Sequence, residues 1–194
     1  MASKLLPFRQ IDEQDVVNMF AYDGTTAQRG LIVKLKTTAG WKLSDAHELS
    51  AVSPNNSYTN TVTDRYAVKA RVETCASGNT PFGMLMYDVA ETDENGEKLI
   101  WHPRKAHEMQ VSVSGQAVPV LTKGIVLLNM ADADRNNVAI AAGTEAYAGA
   151  AGAVIAHSSA SGTGLKRVGT FLGARETTGE VLVKLDFQGV IDKA

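Results

Sequence analysis

Apolar and polar positions alternate most regularly near the C-terminal end of the chain, where Val181, Val183, Leu185 and Phe187 are separated by Glu180, Leu182, Lys184 and Asp186. A period of two predicts a β-strand with one buried face. Ahead of it, Val168, Phe171 and Leu172 form a shorter apolar run, and Glu176-Thr-Thr-Gly179 supplies turn residues between the two. Residues 166–187 are therefore predicted to form a hairpin. Residues 81–101 echo the pattern, with an apolar start containing Gly83, an acidic turn containing Gly96, and a second apolar segment ending at Trp101. Residues 123–128 (Lys-Gly-Ile-Val-Leu-Leu) likewise echo residues 29–34 (Arg-Gly-Leu-Ile-Val-Lys). Two landmarks in the same order fit one β unit used twice, and they also fit chance similarity between apolar strings that contain glycine.

Further strands are expected at residues 30–35, at 66–72, and at Met109, Val111 and Val113, which alternate with Gln110, Ser112 and Ser114. Two more are expected at 118–121 and 124–128. Pro119 argues for an edge position in the first of these, because proline has no N–H for the ladder. The small-residue stretch 141–156 carries too many glycines for a stable helix. It is predicted to hold short strands at 145–148 and 154–156 joined by a glycine-containing turn. A helical turn is expected at 44–49.

Residues 1–24 stand apart. Leu5, Leu6 and Phe8 cluster around Pro7, while Asp12 is placed to cap a short helix over apolar Val16, Val17, Met19 and Phe20. A short helix and a docked arm both fit. The segment packs either on its own domain or, through Leu5, Leu6, Phe8, Phe20 and Tyr22, on a neighbouring subunit, since chain termini order only when tied down.

The predicted fold class is all-β, mainly an antiparallel barrel or sandwich, with two similar β units as one arrangement and a short N-terminal arm or helix. The expected divisions are an arm at 1–24, a first β unit at 25–120 and a second at 121–194; the alternative is one compact domain. A length of 194 residues suffices for one substantial core or two small modules. The 44% apolar and 21% charged content is that of an ordinary globular protein. A net charge of -2 provides no overall drive towards nucleic acid or acidic lipid. The single Cys75 excludes an intrachain disulfide framework and a multi-cysteine zinc site. No apolar run approaches the ~18 residues of a membrane span. Residues 1–10 lack the features of a secretory signal, so synthesis in the cytoplasm is expected.

Catalytic patterns are missing. His102 and His107 are five apart, a spacing that a helix does not bring to one face, and His47 and His157 lie far from both. There is no phosphate-binding glycine loop, no metalloprotease pair and no nucleophile elbow. Cys75 has no flanking cation to activate it. The expectation is a protein that is not an enzyme, with no catalytic residue, metal site or cofactor, although distant side chains could still converge. The most basic stretch follows Trp101, where Arg104 and Lys105 could meet phosphate or an acidic partner surface. The plainer alternative is a solvated loop after a strand. Trp41 and Trp101 fit core or interface anchors.

The opening residues 5–24 resemble the start of virion structural proteins of tailed bacteriophages. Residues 145–152, 168–172 and 181–185 are similar in style to small β-barrel capsid decoration, or cement, proteins. The resemblance implies a virion protein on the outer surface of an icosahedral capsid, stabilising capsomer contacts. Its implied partners are the major capsid protein and copies of itself, for instance as a trimer, with neither a membrane nor a specific nucleic acid involved. The candidate partner-binding residues are then Leu5, Leu6, Phe8, Phe20, Tyr22, Trp101, Arg104 and Lys105. Alternatives are another phage component (tail, neck or fibre base) or a carbohydrate-binding β module using Trp41, Tyr58, Trp101 or Tyr147 as stacking platforms.

Overall fold

The computed structural model describes residues 5–7, 15–36, 71–129, 140–156 and 164–187, which are predominantly β. Trp41, Tyr58, the helical turn at 44–49, most of the polar loop at 129–137 and the loop at 157–163 lie outside the described residues.

Five strands close into a barrel: β2 (Val16–Tyr22), β3 (Ile32–Leu35), β4 (Arg71–Thr74), β5 (Gly83–Leu85) and β8 (Ala117–Leu121), in the order β2-β4-β3-β5-β8. Neighbours run antiparallel except β2 and β4, whose parallel contact pairs Ala21 with Arg71 and Tyr22 with Val72. Phe20, Tyr22, Val33, Val72, Leu85, Val118 and Val120 fill the barrel interior. Residues 16–22 form a strand, so the helix allowed for this segment does not extend over them. Val, Phe and Tyr favour a pleated surface, and pairing with β8 decides the outcome.

Pro119 also sits differently from the expectation. Its strand is paired on both sides, with β2 and with β5. The proline is tolerated because β2 bulges opposite it: the register shifts between Val17, which faces Val120, and Phe20, which faces Val118. A bulge is one of the few places in a sheet where a missing N–H leaves no broken ladder bond. The Pro119 carbonyl still accepts from the Met86 N–H at 3.2 Å.

The second body is a six-stranded sheet of order β1 (Leu5–Pro7), β9 (Lys123–Asn129), β13 (Glu180–Asp186), β12 (Arg167–Phe171), β10 (Glu145–Ala148) and β11 (Val154–Ala156). The expected hairpin is β12 and β13, with Phe171 facing Val183 and Gly169 facing Leu185. Strands β10 and β11 form the second hairpin predicted from the small-residue stretch. Small size has a definite use at Gly169: a Cβ there would stand 2.2 Å from the Lys184 carbonyl oxygen, so only glycine lets β12 approach β13 this closely.

The barrel and sheet share a core. Ile32, Met84 and Leu121 alternate with the interior residues Val33, Leu85 and Val120 and face the other way. There they join Val126, Leu128, Val168, Phe171, Val183 and Leu185 of the sheet in one apolar cluster. A backbone bond from the Gly152 N–H to the Cys75 carbonyl, 2.8 Å, stitches the β10–β11 turn to the barrel. The hairpin echo at 81–101 is reduced to one antiparallel bridge, Thr92–Lys98, across the acidic turn: β5 pairs with β3 and β8, and the second apolar segment is a 3-10 turn.

Candidate partner-binding site

Between β5 and β8 the chain leaves the barrel and builds a small excursion. It comprises β6 (Asp88–Ala90), a 3-10 turn at Leu99–Trp101, helix α1 (Pro103–Glu108) and β7 (Val111–Val113), with β6 and β7 paired in parallel. The basic stretch after Trp101 is therefore a short helix rather than a loop. Pro103 occupies the first turn, where a missing N–H costs nothing, and Arg, Lys, Ala and Glu are good helix formers. Six residues do not hold a helix by propensity alone. Tertiary packing does, through a satellite core of Leu99, Ala106 and Val113 with Ile100 and Val111 beside it. Backbone bonds between Ala27 and Val89, at 2.8 and 3.0 Å, tie the excursion to the barrel.

Asp93 locks this unit. Its buried carboxylate accepts the N–H groups of Asn95 and Glu97, both at 2.8 Å, and a hydrogen bond from the Lys105 ammonium of α1. The Lys105 bond is the largest influence on Asp93 and, against the opposing effect of burial, lowers its pKa to about 2. Lys105, which also pairs with Glu94 at 3.4 Å, is raised in turn, chiefly by Asp93. Lys105 thus works as an internal strut.

Outside this lock the excursion presents a different surface. Trp101 is 59% exposed, and Tyr87 (47%) and Met109 are also large apolar groups facing solvent. Arg104, 93% exposed, makes an i,i+4 pair with Glu108 at 3.1 Å, a weak contact in this setting. An open groove of about 360 Å³ runs between α1 and the barrel, with Ile100, Val111, Pro119, Tyr87, His107 and Asn18 among its lining residues. The excursion thus combines exposed aromatic and arginine side chains, residue types enriched at protein interfaces, with a groove of mixed apolar and polar lining.

The other candidates lie elsewhere. Phe20 and Tyr22, 5% and 8% exposed, belong to the barrel interior. Phe20 stacks edge-on against Phe82 at 5.1 Å, and the Tyr22 hydroxyl bonds Thr74 Oγ1 at 2.6 Å, so neither is offered to a partner. Leu5 and Leu6 lie in β1, in register with Leu128 and Leu127 of β9, which ties the start of the chain into the sheet. Phe8 is outside the described residues. Neither a protein-family model nor a curated protein matches the chain. Tyr147 is not a stacking platform: it is buried, its hydroxyl donates to Glu145, and burial first, then that bond, raises its pKa to about 12.

One further polar cluster lies on the barrel wall. Asp23 accepts from Lys36 and from Arg71 Nη1 at 2.8 Å, and Glu73 pairs with Lys34 at 3.1 Å. The Lys36 bond, opposed by burial and assisted by Arg71, lowers the Asp23 pKa. The cluster spans the parallel β2–β4 contact and reads as a clasp on that seam. Among the described residues, no group of three or more His, Cys, Asp or Glu is placed to hold a metal ion. Tyr87 and Met109 were not legible as surface residues, because both neighbour strand-like alternation that places such groups in a core.

Proposed function

We infer that the chain is a structural, non-catalytic protein that attaches to the outside of a phage capsid and stabilises contacts between capsomers. The supporting observation is the excursion, which leaves Trp101, Tyr87 and Arg104 exposed and carries a groove lined in part by Tyr87, while the Asp93–Lys105 lock fixes its shape. A preformed apolar anchor loses little conformational freedom on docking. Repetition over a lattice then turns a modest single contact into high occupancy. The resemblance of residues 5–24 and of the C-terminal strands to virion proteins supplies the identity of the lattice.

Removing residues 1–24 is an unsuitable test, because it deletes β2 and opens the barrel. Trp101→Ala is the informative variant, since this side chain is exposed and outside all three cores. The wild-type chain should co-sediment with capsid shells assembled without it and appear as added density on their outer face by electron microscopy. Trp101→Ala should keep the wild-type melting temperature and lose at least about tenfold in affinity, the equivalent of 1.4 kcal/mol. Density confined to a tail, neck or fibre base, or equal binding by the variant, would overturn the reading.

A further inference from the structure

The acidic turn of the excursion brings together two residues whose chemistry docking does not use. Thr92 bridges Lys98, the Asp93 N–H donates to the Glu97 carbonyl at 3.0 Å, and residues 94–96 close the loop between them. A three-residue hairpin loop commonly ends in a left-handed residue, and Gly96 takes that place with φ +84°. A residue with a side chain would be strained there, so the turn selects glycine. Ahead of it stands Asn95, a residue type that turns favour. Of all the asparagines in the chain, Asn95 alone precedes a glycine. Both residues are exposed, and nothing lies within 4 Å of the place a Cβ on Gly96 would take.

We propose that Asn95–Gly96 is a site of spontaneous covalent modification, at which conversion of Asn95 to isoaspartate loosens the Asp93 lock. The Gly96 backbone nitrogen, having lost its proton to solvent base, attacks the carbonyl carbon of the Asn95 side chain. A C–N bond forms, the bond to the side-chain nitrogen breaks, and that nitrogen leaves as ammonia with a proton returned by solvent. Water then opens the resulting five-membered succinimide at either carbonyl, leaving aspartate or isoaspartate at position 95. The attacking nitrogen is held by a long bond, from the Gly96 N–H to the Asp93 carbonyl at 3.2 Å, and glycine has no side chain to hinder it. Local opening of a unit with so small a core releases it. In isoaspartate the main chain runs through the former side chain, which adds one methylene between positions 95 and 96. The N–H of residue 95 lies before that point and keeps its bond to the Asp93 carboxylate. The Gly96 and Glu97 N–H groups lie after it and are displaced from Asp93. The carboxylate that holds Lys105 of α1 thereby loses one of its fixing contacts. This inference rests on the turn and not on what the excursion docks to.

Peptide mass mapping of the full-length wild type, held in mildly alkaline buffer, tests the site. Position 95 should gain one mass unit and resolve into two products. The gain should be much faster than at Asn79, which also sits in a turn but precedes the β-branched Thr80. No gain at position 95, or a rate no faster than at Asn79, overturns the site. Asn95→Gln keeps an amide but needs a larger ring, and should stay unmodified; conversion at the wild-type rate overturns the chemistry. Amide exchange over residues 99–113 reads the lock. It should quicken severalfold in the isoaspartate-bearing wild type and stay slow in Asn95→Gln aged in parallel. It should also stay slow in fresh Asn95→Asp, which has the new charge without the added methylene. Isoaspartate-bearing protein that exchanges like fresh protein, or Asn95→Asp that exchanges as fast as the aged chain, overturns the coupling.

Discussion

Asp93 shows how one side chain can set the shape of a surface it never reaches. Its carboxylate is a hub for two backbone N–H groups and one ammonium, and it stays charged down to about pH 2 in the folded chain. In the unfolded chain it protonates near its ordinary value of about 3.9. The folded value is depressed, so the associated stability is present above about pH 4 and is lost as pH falls from there through about 2. Asp93→Asn keeps an oxygen for the two N–H groups and loses the charge that holds Lys105. At pH 7 the variant should melt below the wild type, and the gap should narrow steadily between pH 4 and pH 2. A gap of constant size across that range would show that the charge is irrelevant and that only the shape of the side chain matters. Gly169 illustrates the opposite kind of residue, one whose value lies in having no side chain in the way of the Lys184 carbonyl.

At the scale of elements, the legible parts were those whose pattern is self-contained. The β12–β13 hairpin could be read from Val181, Val183, Leu185 and Phe187 because one buried face imposes a period of two along a single strand. The β10–β11 hairpin could be read because glycine-rich sequence excludes helix and leaves little else. What could not be read depended on residues far away in the chain. Val16–Tyr22 begins after an acidic cap and has apolar spacing compatible with either state; its strand is decided by β8, about a hundred residues on. Pro119 looked like an edge residue because the bulge that accommodates it lies on the other strand. Trp101 and Arg104 were found as candidates because aromatic and basic residues were adjacent, whereas the burial of Phe20 and Tyr22 required the closed barrel to be seen.

The excursion carries its own element-level prediction. Its satellite core consists of Leu99, Ala106 and Val113, apart from the two larger clusters. A unit with so small a core should open by local fluctuation well before the barrel does. Ala106→Gly weakens α1 by about 1 kcal/mol in propensity and removes a packed methyl. Amide exchange over residues 99–113 should accelerate severalfold, with exchange in β9 and β13 unchanged. Equal acceleration in β9 and β13 would mean that the excursion has no stability of its own and is part of the global unit.

For the whole molecule, the question is whether barrel and sheet are two domains or one. Pairing divides them, since among the described residues no ladder joins the barrel strands to the six-stranded sheet. Packing unites them, because Ile32, Cys75, Met84 and Leu121 of the barrel lie in the same apolar cluster as Phe171, Val183 and Leu185 of the sheet. The turn at Gly152 reinforces the junction: its φ is +74° and a Cβ there would stand 2.8 Å from the Ile32 carbonyl oxygen, so the sheet approaches the barrel backbone at a point only glycine tolerates. Separating the bodies would expose one face of each to water at about 25 cal/mol per Å² of apolar area. Neither body should therefore persist alone, and unfolding should be one transition whose calorimetric and van't Hoff enthalpies agree. Phe171→Ala, in the sheet, removes a fully buried ring and should cost about 3–5 kcal/mol. In a coupled molecule the barrel signal, followed through Tyr22 and Phe20, shifts to lower denaturant together with the sheet. If the barrel kept its midpoint while the sheet unfolded early, the shared cluster would be a contact between two independent domains, and the division near residue 121 would hold.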